Sequence, residues 1–157
     1  MRLDIFETKN QAIDWIQKNV PQAATRSAAE SYLRNRLPKE SYYQAQIIKA
    51  LKKEYPQGFI WKAAAGPYSR QGIPDVCAII NGHYFGFEVK RPYIGLLSEI
   101  QRATIQEIRR AGGTAETVCF PEDALKIIAD WRDNEQKQKT AAAAAAKKRG
   151  IGKAAAF

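Results

Sequence analysis

The sequence predicts an α/β domain built on a small mixed four-stranded sheet flanked by helices. Four short extended runs, Phe59 to Ala64, Asp75 to Ile80, Tyr84 to Lys90 and Thr114 to Phe120, are bounded by turn residues. Helical patterns precede, separate and follow them, which gives the order α-β-β-β-α-β-α. The dipeptide Asn81-Gly82 favours a tight type I′ turn, so the second and third strands pair antiparallel.

The first helix of this core starts at Pro38-Lys39-Glu40 and runs to about Glu54. Tyr43, Ile47, Ala50 and Leu51 fall at helical spacing, Lys49, Lys52 and Lys53 lie opposite, and Pro56 and Gly58 stop it. Ser98 is a good N-cap and Gly112-Gly113 a good stop for a helix whose inner side reads Leu97, Ile100, Thr104, Ile105, Ile108 and Ala111. Pro121-Glu122-Asp123 suits the first turn of a last helix, where proline is tolerated and carboxylates complement the dipole. Residues 1–37 read as a polar helical arm with Ile13, Trp15, Ile16 and Val20 as apolar members, a break at Pro21 and a second stretch from Ala23 to Leu37. The expected division is an arm at 1–37, a core domain at 38–133 and a basic Ala/Lys-rich tail at 134–157, frayed or disordered because it has nothing to pack.

At 157 residues and 45% hydrophobic content, one core fits and a second catalytic domain does not. No run approaches the roughly 20 apolar residues of a membrane span, and Met1-Arg2-Leu3-Asp4 does not open a signal peptide. A soluble, cytoplasmic protein without a membrane partner is expected. Cys77 and Cys119, each inside an apolar run, read as buried reduced thiols. The net charge of +9 points to a polyanion. Over half of that excess sits in residues 131–157, with seven Lys or Arg against two Asp or Glu. That tail lacks bulky apolar residues opposite its cations, which argues against a membrane-surface helix.

The chemistry concentrates in Gly72-Ile73-Pro74-Asp75, the hairpin, and Phe87-Glu88-Val89-Lys90. Strand side chains alternate, so Glu88 and Lys90 share one face while Phe85, Phe87 and Val89 take the other. The tight turn folds Asp75 back toward Glu88 and Lys90. Two converging carboxylates make a hard-oxygen site for Mg²⁺ or Mn²⁺, and a lysine beside them orients or activates a water. Phosphodiester hydrolysis needs those parts. Glu-x-Lys alone is commonly a solvated ion pair; an acid at the mouth of the apolar run Val76 to Ile80, across a hairpin from it, gives it weight.

With Leu97-Ser98, Gln101 and Gly112-Gly113 added, and with Phe87-Glu88-Val89-Lys90 continuing into Arg91-Pro92, the chain from about Pro38 to Asp130 resembles the virus-type replication-repair nuclease (VRR-NUC) domain. That domain is a branch of the PD-(D/E)xK restriction-endonuclease-like superfamily. The resemblance implies that core fold, Asp75 and Glu88 as metal ligands, Lys90 as catalytic lysine, the Val89 backbone carbonyl as a further ligand, and Gln101 as a helix residue reaching the site. Gln101 also lies one turn from both Leu97 and Ile105, so it leans toward the sheet; capping a backbone group is its other reading. Glu40 is the candidate for an added carboxylate and equally an ordinary first-turn acid, with Gln44 or Gln46 as alternatives in that turn.

Arg70 and Tyr68, in the loop before Asp75, suit a phosphate and a base or sugar, with Arg91 and Lys62 as weaker candidates and Lys147, Lys148 and Arg149 as tail contacts. His83, the one histidine, reads as an exposed turn residue. The expected activity is a metal-dependent, structure-directed endodeoxyribonuclease with no organic cofactor, acting on branched DNA such as a four-way junction. A flap or nicking nuclease, or a catalytically silent DNA-binding module on the same fold, is the alternative. Trp15, Ile16 and Val20, without an obvious place in the core, suggest a homodimer with isologous contact.

Overall fold

The computed structural model describes residues 2–64, 66 and 70–154, with side chains to 149. An arm of two helices comes first, α1 (Lys9–Asn19) and α2 (Arg26–Arg36), joined through a short 3₁₀ turn at Pro21–Ala23. Thr8 and Thr25 cap the two helices by accepting from the backbone N–H groups of Gln11 and Ala28. The core then runs α3 (Glu40–Glu54), β1 (Phe59–Lys62), β2 (Val76–Ile80), β3 (His83–Val89), α4 (Glu99–Arg110), β4 (Thr114–Val118) and α5 (Pro121–Ala154). Among the described residues the strands form one sheet in the order β1-β2-β3-β4. β1, β2 and β3 are mutually antiparallel, and β4, reached through α4, lies parallel to β3. The expected mixed four-stranded sheet flanked by helices is therefore what the chain builds.

Asn81 and Gly82 both adopt positive φ, 51° and 77°, and Ile80 pairs directly with His83. That is the two-residue hairpin the dipeptide favours. Its register puts Phe85, Phe87 and Val89 in the main core with Tyr43, Ile47 and Leu51 of α3 and Ala124 and Ile128 of α5. Burying these side chains against both helices is the principal stabilising contribution, at roughly 25 cal/mol per Å² of apolar surface removed from water. The opposite face carries α4, whose inner side is narrower than its pattern suggests: Thr104 and Ile105 are buried, whereas Ile100 is 51% exposed.

Two expectations need correction. Ile16 and Val20 do not wait for a second subunit. They are buried in a core of their own with Ile13, Ala29, Leu33 and Leu37, against which Tyr93 and Ile94 pack, because two short amphipathic helices can bury their stripes against each other. His83 is not an exposed turn residue; it is the first residue of β3, on the core side. Its Nε2 lies 2.9 Å from Thr114 Oγ1, and its ring stacks on Trp131 at 4.4 Å. The last helix continues past Asn134 to Ala154, in line with the helix preference of alanine. No helix among the described residues is long and apolar enough to cross a membrane. The thiols of Cys77, buried, and Cys119, half-buried, are both free.

From Gln136 to Arg149 every side chain on α5 is exposed. Deleting residues 135–157 should therefore remove far-UV helical signal without lowering Tm, and a fall in Tm of more than a few degrees would show that the extension packs on the core.

Candidate active site

Asp75 lies one step before β2, opposite Glu88 in the hairpin register. Its Oδ2 accepts from the Val89 backbone N–H at 2.8 Å, and its own carbonyl accepts from Ala63 N–H at 2.8 Å. Asp75 thus closes the end of the β2–β3 ladder while staying half-exposed. Pro74 before it packs over Gly86, where a Cβ would come within 2.8 Å of the proline ring. Gly72 has φ +80°, and a Cβ there would meet Thr104 Oγ1 at 2.6 Å. The Gly72-Ile73-Pro74-Asp75 motif is therefore a tight loop pressed on α4 that delivers one carboxylate to the strand end.

Glu88 is only 1% exposed. Its Oε1 accepts from Lys90 Nζ at 2.8 Å and from Gln101 Nε2. Gln101 satisfies both of its readings: its Oε1 accepts from the Ser98 N–H at 2.9 Å in a capping box, which leaves its amide N–H₂ to donate to Glu88. Burial, with Asp75 and Glu40 adding repulsion, pushes the Glu88 carboxyl up to about 7 although Lys90 pulls the other way. Glu40, the first residue of α3, is also raised, mainly by burial; the charges of Lys90, Asp75 and Arg91 all act on it. Glu40 therefore adjoins the Asp75–Glu88–Lys90 group electrostatically. Gln44 is buried one turn further on.

A cleft of about 230 Å³ opens beside Asp75, lined by Ala63, Gly66, Arg70, Gln71 and Gly72 among others. Arg70 stands on this cleft and pairs with Glu107, both side chains more than half exposed. Such a pair contributes little to stability and exchanges readily for another anion. Lys62 is exposed at the end of β1. Tyr68 lies outside the described residues.

Two predicted contact groups are placed elsewhere. Arg91 turns inward: its guanidinium donates to the backbone carbonyls of Arg34 at 2.6 Å and Leu37 at 2.8 Å. The tail residues Lys147, Lys148 and Arg149 are exposed but remote. α5 starts beside the active end of the sheet and passes the hairpin end at Trp131. A straight helix then carries Arg149 about 27 Å beyond Trp131.

Sequence reasoning also missed an aromatic strip on the face that carries Glu88. Phe59 and Trp61 of β1 lie 5.2 Å apart by ring centroids, and Trp61 lies 6.4 Å from Tyr84 of β3. The alternation of β1 and β3 was its available signal.

The donor set suits a hard divalent cation. The residues that would hold one are Asp75 and Glu88 through carboxylate oxygens, Val89 through its main-chain carbonyl, and Glu40 as a further acid. Asp75 and Glu40 raise the proton affinity of Glu88, a repulsion that a cation would relieve. Among the described residues, no three His, Cys, Asp or Glu side chains already converge as a cation cage, so any such site would need the main-chain oxygen or water to complete it.

No protein-family profile and no curated protein matches the chain. A solved structure described as "VRR_NUC domain" is similar at TM-score 0.46 and 21% identity, covering 55% of this chain and 95% of that one. At that identity and score the likeness concerns the path of the chain and says nothing of activity.

The Glu88 shift has a testable consequence for stability. A carboxyl at about 7 in the fold against 4.5 in the unfolded chain keeps a proton that unfolding releases. Stability therefore falls as pH rises from 4.5 through about 7, and the loss is complete above that. In a chelating buffer the slope of Tm against pH across this window should be less negative in Glu88→Gln than in the native protein; equal slopes would place the Glu88 titration outside it.

Proposed function

We propose that the protein is a Mg²⁺- or Mn²⁺-dependent endodeoxyribonuclease. The observation that carries this reading is the joining of Asp75, Glu88, Lys90 and Gln101 at one strand end, on the face that opens beside the Arg70 cleft. The main-chain carbonyl of Val89 and the Glu40 carboxylate complete the proposed ligand set. A bound divalent cation would offset the negative charge that develops on the phosphoryl oxygens and would lower the pKa of the attacking water.

The chain's own groups do the rest. Asp75 is pinned through the Val89 N–H, so its second oxygen faces outward on a fixed strand end. Lys90, held at 2.8 Å from Glu88, keeps an ammonium on the same face, where it orients the water or offsets charge on the phosphate. Gln101, locked by its own capping bond, holds the Glu88 carboxylate in one orientation. Arg70 exchanges Glu107 for a substrate phosphate, and Lys62 extends the same surface.

The arm lends no support to a twofold assembly through Ile16 and Val20, because both are buried in their own chain. A single site cutting one strand at a flap or nick is therefore the substrate reading we favour, and a four-way junction resolvase would need a dimer built from other surfaces. A silent DNA-binding module is disfavoured by the intact Glu88–Lys90 pair, with Asp75 held at the Val89 N–H between them.

Purified protein with Mg²⁺, Mn²⁺ or chelator against labelled single-stranded, duplex, flap and junction DNA decides the matter. Cleavage should require the cation. Asp75→Asn, Glu88→Gln and Lys90→Ala should each lower it by roughly 10²-fold or more with DNA binding largely kept. Near-native cleavage by any two of them sinks the assignment. For the tail, replacing Lys147, Lys148 and Arg149 by Ala should flatten the salt dependence of binding by about 0.9 in log-log slope per lost phosphate contact while leaving kcat unchanged. An unaltered slope would remove the tail from the DNA interface.

A further inference from the structure

We infer that Arg91 is a positioning residue for Lys90, and that through it the helical arm is a working part of the site. The inference rests on the nuclease reading and adds to it a role for residues 1–37. Lys90 makes the last sheet bond in this region, its N–H donating to Val118 O at 2.9 Å. After it the chain leaves the sheet, and what holds the next residues is the arm.

Arg91 grips the two carbonyls, Arg34 and Leu37, that the C-terminal end of α2 presents. Helix ends leave such carbonyls without intrahelical partners, and a cation there also meets the negative end of the dipole. The Arg91 Nε is buried with no hydrogen-bond partner among the described residues. That costs free energy, so the guanidinium is held by its two carbonyl bonds rather than resting there as a surface contact. Tyr93 follows at φ +65°, a conformation rare outside glycine, with its hydroxyl donating to Phe6 O. Tyr93 and Ile94 pack on the arm's core. Gly95 then folds back so closely that a Cβ would lie 2.6 Å from Lys90 Cβ and 2.9 Å from Arg91 O. The stem of Lys90 is thus wedged between the sheet and a loop whose outer wall is the arm.

Arg91→Lys separates this role from a phosphate contact, because lysine keeps the charge but ends one bond short of the Nη2 that donates to both carbonyls. In the full chain, Arg91→Lys should lower kcat by roughly ten- to a hundredfold, the scale of a misplaced catalytic group. KM and the salt slope of DNA binding should stay unchanged, and amide exchange across residues 91–95 should quicken. Tyr93→Phe, which removes one hydroxyl and no charge, should move kcat and exchange the same way by less. Near-native kcat in Arg91→Lys with faster exchange overturns the inference. So does a near-native Arg91→Lys beside an Arg91→Ala whose KM rises and salt slope flattens, which returns Arg91 to the DNA. If the unmutated protein cleaves nothing with either cation, the nuclease reading has failed, and the clamp stands or falls on whether Arg91→Lys speeds exchange at residues 91–95.

Discussion

The two-residue turn at Asn81-Gly82 locks β2 against β3 with no slack, and the position of every reactive group depends on that register. A slip of one residue would turn Glu88 and Lys90 into the core made by α3 and α5 and drive Phe85 and Phe87 out under α4. The core guards against the slip: Phe85, Phe87 and Val89 are fully buried, so exposing them would forfeit about 1.5–3 kcal/mol each. The chemistry thus inherits its precision from the apolar face behind it. Asp75 adds a second lock by accepting from the Val89 N–H, which joins one proposed ligand to the strand that carries the other.

Placing Glu88 and Lys90 inside is costly in its own right. A buried ion pair loses hydration that its mutual attraction repays only with good geometry and further hydrogen bonds. Glu88 receives such bonds from Lys90 and Gln101, and still its carboxyl is raised to about 7. A fold selected for stability alone would place a leucine there. Strongly perturbed carboxyls of this kind cluster at functional sites, which is why Glu88 stands at the centre of the proposed one.

The register, the strand parity and the capping box at Ser98 were legible because each rests on local chemistry: a turn dipeptide, a period of two, a hydroxyl followed three residues later by an amide. Gln101 could be read twice over since one amide has two ends, and the fold uses both. The inward contacts of Arg91 were not legible, for the opposite reason. Its partners, the carbonyls of Arg34 and Leu37, lie 57 and 54 residues away, and no local pattern reports a main-chain acceptor at that distance. The arm's self-contained core was hidden similarly: its helices look under-supplied with apolar residues singly and suffice only as a pair, with Tyr93 and Ile94 completing them.

The long α5 also changes what net charge can mean for this chain. Residues 131–157 hold seven of the cations against two acids, yet the helix leads them away from the sheet's active end. At physiological ionic strength the Debye length is about 8 Å, far shorter than the roughly 27 Å that a straight helix puts between Trp131 and Arg149. Lys147, Lys148 and Arg149 therefore cannot raise the potential at Asp75 and Glu88. Under the proposed function they would be a second point of attachment at a fixed reach, effective only on a nucleic acid whose phosphate backbone meets them there. On the proposed function a short oligonucleotide seated at the Arg70 cleft would not feel them, whereas a long duplex that follows the helix would. Length dependence of affinity, more than affinity itself, is where the charge of this protein should be visible.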